Sequence, residues 1–245
     1  APMAGAFQFI GMNSQIKPFD NVKVRQAIAY ALPYEAMFAA ALFKRGQPLF
    51  GGSSGAPESI EFPQPLGYAT DLDKAKTLLG EAGLAQGFET TFSYELSKAE
   101  IADPVAQLIQ EALAKIGVKV TINKAPAGQL GTLLQNKQVP FYFEESIAFL
   151  ADPDYFFRVF YNGPTRWNFG NYQNPEMAAL VEKTRFETDE AAYQSDVKRM
   201  IALAKEDAPI ILLWQPTLDT GMQRSVEGYD YLFHRQLELR TLKRA

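Results

Sequence analysis

The sequence lacks cysteine entirely and has a single histidine, His234, among its 245 residues. The chain therefore forms no disulfide, has no thiolate nucleophile or zinc-binding thiolate, and cannot build a His-rich metal site. Long apolar runs are also missing, because no window approaches the 18 consecutive apolar residues of a membrane-spanning helix. The formal net charge is −4, so the sequence lacks the clustered excess of Lys and Arg that is typical of nucleic-acid binders.

Apolar side chains are nevertheless abundant, at 47% of the sequence, with 13% aromatic residues. This composition supports a packed core, and the length suits one large domain or two small ones. Residues 1–6 are small and apolar but have neither the positive start nor the long apolar centre of a signal peptide. We therefore expect either that a signal has been removed or that the chain begins inside a longer protein.

The first third of the chain predicts a strand followed by two helices and a long loop. Residues 7–13 have the composition of a short strand. Asp20 is placed to cap a helix, and Pro33 to begin a second one. The first helix has a periodic apolar stripe of Val24, Ala27, Ile28, Ala31 and Leu32. The Gly- and Pro-rich segment 46–65 predicts a loop.

The middle of the chain predicts a strand–helix–strand unit. Alternating apolar residues indicate strands over 88–94 and 118–122, and Asp103-Pro104 is placed to open the helix between them. This order favours a parallel pair joined by a right-handed crossover. Further strands are predicted over 139–143 and 210–214, with helices between them. The interspersed elements predict an α/β fold.

Few side chains are candidates for catalysis or metal binding. Glu144-Glu145 follows the predicted strand 139–143, and adjacent strand residues point to opposite faces, so the two carboxylates cannot act as one acid–base pair. Either one of them lines a site or both are solvated. Asp152-Pro153-Asp154 is better explained by helix capping at Asp152 than by a metal loop. His234 has no triad-like context.

The segment Trp167-Asn168-Phe169 places a large ring beside an amide in a predicted loop, which suits either a small ligand or core packing. No combination of residues supplies a nucleophile, its base and an oxyanion site. The residues therefore argue against an enzyme, and they suggest no cofactor or metal.

Five segments, in order along the chain, resemble the C-terminal half of the dipeptide/oligopeptide-type (family 5) extracellular solute-binding proteins of ABC transporters. The first reads PFDNVKVRQAIAYA over 18–31 and follows the predicted strand. The others are Tyr68 with DKAKTLLGEAG over 73–83, LAKIGVKV over 113–120, ADPD over 151–154 with Asn168 and YQNPE over 172–176, and ETD over 187–189 with EDAP over 206–209. Their shared order makes the resemblance specific.

The resemblance implies a periplasmic-binding-protein-like α/β lobe (type II, cluster C-like), with a mixed sheet flanked by helices and without the N-terminal lobe. It implies a strand from the first lobe over 1–13, the second ligand-binding lobe over 14–209, and a returning strand and tail over 210–245. Phe9 and Ile10 would then lie beside the strand 210–214 and form the hinge with it.

The function implied is capture of a small solute between two lobes, followed by delivery to a permease. The solute would be peptide-like, a modified peptide, opine-like or another small organic molecule. The implied location is periplasmic or at the cell surface, with the signal peptide absent from this sequence. The implied partners are the solute, the N-terminal half of the same protein and an inner-membrane ABC permease. A carboxylate-dependent hydrolase and a solute sensor remain as alternatives.

In peptide-binding members of the family, a Trp and an Asp stand three residues apart before the Asp-Pro-Asp segment, and that Asp pairs with the ligand's α-ammonium. The matching positions are Ser146 and Phe149. Unless Glu145 replaces the lost charge, this change implies a solute without a free N-terminal amine, because an unpaired buried ammonium costs several kcal/mol. The candidate contacts are Phe143, Glu145, Ser146, Phe149, Trp167 and Asn168.

Overall fold

The computed structural model describes residues 5–53, 55–126, 128–147, 150, 152–217, 220–230 and 238–244. The strands in these ranges are β1 (Ala6–Met12), β2 (Gly46–Pro48), β3 (Glu89–Glu95), β4 (Lys119–Ala125), β5 (Phe141–Ile147), β6 (Ile210–Pro216), β7 (Val226–Glu227) and β8 (Lys243–Arg244). The helices are α1 (Val22–Ala31), α2 (Tyr34–Leu42), α3 (Leu72–Glu81), α4 (Ala99–Ala114), α5 (Gln129–Gln135), α6 (Pro153–Phe160), α7 (Pro175–Thr184) and α8 (Glu190–Asp207). A short 3-10 helix, Leu96–Lys98, joins β3 to α4.

Six strands form one mixed sheet in the order β2-β6-β1-β5-β3-β4. β3 is parallel to both β4 and β5, whereas β1 is antiparallel to both β5 and β6. The parallel β3–α4–β4 unit confirms the predicted strand–helix–strand pairing. Helices cover both faces of the sheet, so the expected α/β architecture is confirmed.

Aromatic contacts show how the two faces are covered. On one face, the rings of Phe156 and Phe160 of α6 lie 5.7 and 5.6 Å from the ring of Phe7. On the other face, Phe38 of α2 lies 5.7 Å from Trp214 of β6. Because successive strand residues point to opposite faces, β1 contributes apolar side chains to both layers.

β1 is the centre of the core. All seven of its residues are buried, and it pairs with β5 on one side and β6 on the other. Phe9 lies opposite Leu212 and Ile10 opposite Ile211. The predicted adjacency of these two segments is therefore confirmed, and their role as a hinge stays a prediction.

The start of α1 differs from the sequence-based prediction. Asn21, and not Asp20, is the capping residue, and its side chain accepts a hydrogen bond from the Lys23 N–H. Arg25 of this helix is buried, and its Nε donates to the carbonyl of Asp207 at 2.6 Å. Burial lowers the pKa of Arg25, and the negative charge of Asp207 opposes this effect. The guanidinium thereby ties α1 to the end of α8.

The sequence predicted that Asp103-Pro104 opens α4, and this prediction is wrong. The helix begins at Ala99, and Pro104 lies inside it. The Asp103 carboxylate instead accepts hydrogen bonds from the Tyr94 hydroxyl at 2.5 Å and from Lys124 Nζ at 2.7 Å. These bonds join α4 to β3 and β4, so a tertiary contact takes the place of a helix cap.

Two other boundaries also differ. The predicted loop 46–65 begins with the short strand β2, which pairs with the end of β6. The strand predicted over 139–143 lies at 141–147, so Glu144 and Glu145 are inside it and do not follow it. Both differences arise because pairing with β6 or β1 supplies backbone partners that the local pattern does not reveal.

Gly11 of β1 lies at a position where the sheet has no room for a side chain. A Cβ built there would lie 2.1 Å from Cζ of the buried Tyr142 ring. We expect Gly11→Ala to lower the free energy of unfolding by about 1–3 kcal/mol, because the ring must leave its packed position. Urea denaturation of both proteins measures the change.

Gly131→Ala is the matched control, because Gly131 lies inside α5 and a Cβ there meets nothing within 4 Å. Alanine is favoured over glycine in a helix, so this change should raise stability by about 0.5–1 kcal/mol. Equal stability of Gly11→Ala and the unsubstituted protein would contradict the proposed close packing.

Candidate functional site

The carboxyl ends of the parallel strands define one edge of the sheet, here called the carboxyl edge. β3, β4, β5 and β6 end there, and the antiparallel strand β1 begins there. In open α/β sheets, ligands bind outside the carboxyl ends of the strands. The chain also enters β1 and leaves β6 at this edge, which makes it the candidate site.

Glu145 is an exposed carboxylate at this edge. It lies opposite Gln8 in the β1–β5 register, and its Oε2 accepts a hydrogen bond from Gln8 Nε2 at 3.2 Å. The amide donates to one oxygen, so the carboxylate keeps acceptor positions for a donor that approaches from solvent.

Glu144 has a different partner, as expected for adjacent residues of a strand. Its Oε1 contacts the ammonium of Lys98, which lies in the 3-10 helix after β3. Burial lowers the pKa of Lys98, whereas the negative charges of Glu145 and Glu95 act to raise it. The ammonium of Lys98 therefore lies within the electrostatic influence of three carboxylates, those of Glu144, Glu145 and Glu95.

The other candidate contacts of this segment differ in accessibility. Ser146 is half-buried in β5 beside Glu145, so it stands at the carboxyl edge. Phe143 is fully buried in the sheet and presents no surface to a solute. Phe149 lies outside the described residues.

Trp167 and Asn168 lie at the other end of the sheet. Their loop is fixed to the beginning of β5 and the end of β1, because Ser14 N–H donates to the Gly170 carbonyl at 2.7 Å. A seven-residue strand spans about 20 Å. The structure therefore does not bring Trp167 and Asn168 together with Glu145 and Ser146.

Asn168 is a buried loop anchor. Its Nδ2 donates to the carbonyls of Gly163 and Tyr172, both at 2.9 Å, and its Oδ1 accepts from the Tyr172 N–H at 3.0 Å. All three of these hydrogen bonds are made with backbone groups of the loop. Trp167 is 46% exposed and packs edge-on against Phe169 at 5.7 Å.

The described residues form surface cavities of about 390, 400, 440 and 550 Å³, and none of the described candidate contacts lines any of these four. Among the described residues, no three His, Asp or Glu side chains converge as a metal ion requires. No described helix is long and apolar enough to cross a bilayer.

Comparison with solved structures defines the class of fold. The periplasmic binding protein AgaA of A. tumefaciens R10 superposes with a TM-score of 0.81 at 24% identity, over 99% of this chain and 51% of that protein. The periplasmic binding protein DppA from Helicobacter pylori, solved with the peptide STSA, gives a TM-score of 0.77 at 26% identity, over 94% and 45%. The fold is that of a periplasmic-binding-protein domain.

The family follows from the sequence comparison. Residues 2–168 match the model of the bacterial extracellular solute-binding proteins, family 5 middle region. The chain belongs to this family. The glutathione-binding protein GsiB of Pectobacterium atrosepticum is 30% identical over 234 residues, which are 91% of this chain and 44% of that protein. The chain thus spans less than half the length of this curated relative.

The hydrogen bonds of Asn168 predict a role in stability. We expect Asn168→Ala to lower the free energy of unfolding by roughly 2–4 kcal/mol, because it leaves buried backbone groups unpaired. Gln173→Ala, at an exposed position of the same loop, should change it by less than about 0.5 kcal/mol. Urea denaturation of both variants is the measurement, and similar stabilities would count against the anchoring role.

Proposed function

We propose that this chain is part of the extracytoplasmic solute-binding component of an ABC importer. The observation that carries the proposal is the family match over residues 2–168. A relative of the same family is named as a glutathione-binding protein, and a similar solved structure is described as ABC transporter-associated and holds a peptide. The location that this function requires is the periplasm or the cell surface, and the partner is a membrane permease.

The proposed mechanism is closure of two lobes on a solute. Residues 14–209 form the second lobe, while 1–13 and 210–245 connect to and complete the first lobe, the N-terminal half of the same protein. β1 begins and β6 ends at the carboxyl edge, so both connections leave from the side on which the solute binds. A solute that contacts both lobes favours the closed form through the extra contacts it makes there.

The proposed solute contacts in this lobe are Glu145, Ser146 and Phe149. Ser146 and Phe149 occupy the positions at which peptide-binding relatives have Trp and Asp, so the solute differs from an ordinary peptide in how its amine is held. A modified peptide, an opine-like compound or another small organic molecule fits this change, and Glu145 is the carboxylate available for a solute that keeps its amine.

A binding role is favoured over the hydrolase alternative by the placement of the two carboxylates. Glu144 is paired with Lys98 and Glu145 with Gln8, so they do not face one substrate bond. A sensor that presents its closed form to a signalling protein would use the same lobe closure. Transport assays with the cognate permease distinguish import from sensing.

Thermal shift of the complete protein tests the proposed function. The panel contains unmodified di- and tripeptides, glutathione, N-acetylated peptides and opine-like solutes. A solute at about 100 times its Kd stabilises the folded state by about 2.7 kcal/mol, which should appear as a shift of several degrees in Tm.

Mass spectrometry of the bound solute after incubation is the accompanying control, and the expected result is an unchanged solute. A processed solute would favour the hydrolase. Strong stabilisation by ordinary dipeptides that survives Glu145→Gln would contradict the proposed contacts.

The two-lobe mechanism makes a second prediction about affinity. The 245-residue chain should bind the solute of the complete protein roughly 100-fold more weakly or worse, because one lobe covers only one side of the solute. Titration calorimetry of both proteins measures the ratio. Equal affinities would overturn the two-lobe mechanism.

A further inference from the structure

Gln8 links the buried ring of Trp214 to the exposed carboxylate of Glu145 at the carboxyl edge. Its Oε1 accepts a hydrogen bond from the Trp214 indole Nε1–H at 2.5 Å, while its Nε2 donates to Glu145 at 3.2 Å. Gln8 is 2% exposed and Trp214 is 0% exposed. One amide therefore connects β6, β1 and β5 through side chains.

The chemistry of the two neighbours determines the orientation of this amide. The indole of Trp214 is a donor only, and an ionised carboxylate such as that of Glu145 is an acceptor only. The opposite amide orientation would place two N–H donors together on one side and two oxygens together on the other. Trp214 therefore orients Gln8 so that its N–H bonds point at Glu145.

A bulge in the sheet brings the partners together. The β1–β6 register pairs Phe9 with Leu212, and its regular continuation would place Leu213 opposite Gln8. The register instead shifts between Gln8 and Phe9, so that Trp214 is opposite Gln8. Leucine has no hydrogen-bond donor in its side chain, and bulges commonly re-aim a side chain beside a functional site.

We propose that Gln8, oriented by Trp214, is a positioning residue that fixes the Glu145 carboxylate for a hydrogen-bond donor or cation of the solute. The inference rests on the proposed function, because it requires Glu145 to contact the solute. It adds that contact at Glu145 is transmitted through Gln8 to β1 and β6, the two strands by which the chain enters and leaves this domain.

A purely structural role of Gln8 can be distinguished from a positioning role. A buried amide needs hydrogen-bond partners wherever it lies, and loss of those partners would lower stability alone. A positioning role also links the state of the exposed carboxylate to the buried indole, because hydrogen bonds in a chain polarise one another. The indole N–H resonance of Trp214 therefore reports on the role directly.

The first measurement needs no solute. The Trp214 indole resonance in the complete protein is assigned as the one absent from Trp214→Phe. We expect Glu145→Leu to move this resonance, because the acceptor at the end of the chain is lost. Glu89→Gln is the control and should leave the resonance in place, since Glu89 lies at the beginning of β3, at the other end of the strands, and pairs with Lys119.

The second measurement uses a solute that stabilises the complete protein in the thermal-shift panel. Its binding should move the Trp214 resonance in the unsubstituted protein. Gln8→Met keeps the length of the side chain but removes both hydrogen bonds, and we expect about tenfold weaker binding, the usual size of a lost hydrogen bond to a charged group.

An unmoved resonance in Glu145→Leu overturns the proposal, and so does unchanged affinity in Gln8→Met. If Gln8→Met fails to fold, Glu145→Leu decides the question alone, because Glu145 is an exposed residue. If no solute of the panel binds, the proposed function fails, while the solute-free comparison still decides whether Gln8 couples Glu145 to Trp214.

Discussion

The pairing of β1 with β5 and β6 is the contact on which the rest of the domain depends. Gln8 meets residues that are 137 and 206 positions away in the sequence. Closing such long loops costs conformational entropy, which the burial of all seven β1 residues offsets. A slip of one residue would exchange the two faces of the strand, so core packing specifies this register strongly.

Polar side chains at the two ends of the strands have different partners. At the end opposite the carboxyl edge, buried polar groups such as Asn168 and Arg25 are directed to backbone carbonyls and join the loops. Lys137 adds to them by donating to the carbonyl of Thr165 at 3.0 Å, and burial lowers the pKa of its ammonium. At the carboxyl edge, Glu145 keeps acceptor positions open to solvent. The buried anchoring groups and the solvent-facing carboxylate thereby lie at opposite ends of the strands.

Much of the fold was predictable because it rests on local periodicity. The apolar stripe of α1 and the alternation of β3 each report one buried face, and that signal does not depend on distant residues. The prediction that Asp103-Pro104 opens α4 was wrong, and the reason is also physical. A capping signal shows only that a carboxylate is available, and here Tyr94 and Lys124 take it for a tertiary bond.

The candidate site was less predictable than the fold. Trp167 and Asn168 stand close in sequence to the Asp-Pro-Asp segment, yet α6 carries the chain from one edge of the sheet to the other between them. Gln8 gives no sequence signal as a functional residue, because a single glutamine in an apolar strand has no motif. Its importance appears only when the fold places Glu145 and Trp214 on either side of it.

By itself, the sequence determined the α/β class, the resemblance to family 5 and the opposite faces of Glu144 and Glu145, because these depend on local patterns and on the order of motifs. Only the tertiary structure decided that Asn168 anchors a loop and that a bulge sets Trp214 opposite Gln8. The physical reason is that these outcomes depend on hydrogen bonds and strand register between distant segments, for which the chain carries no local periodicity.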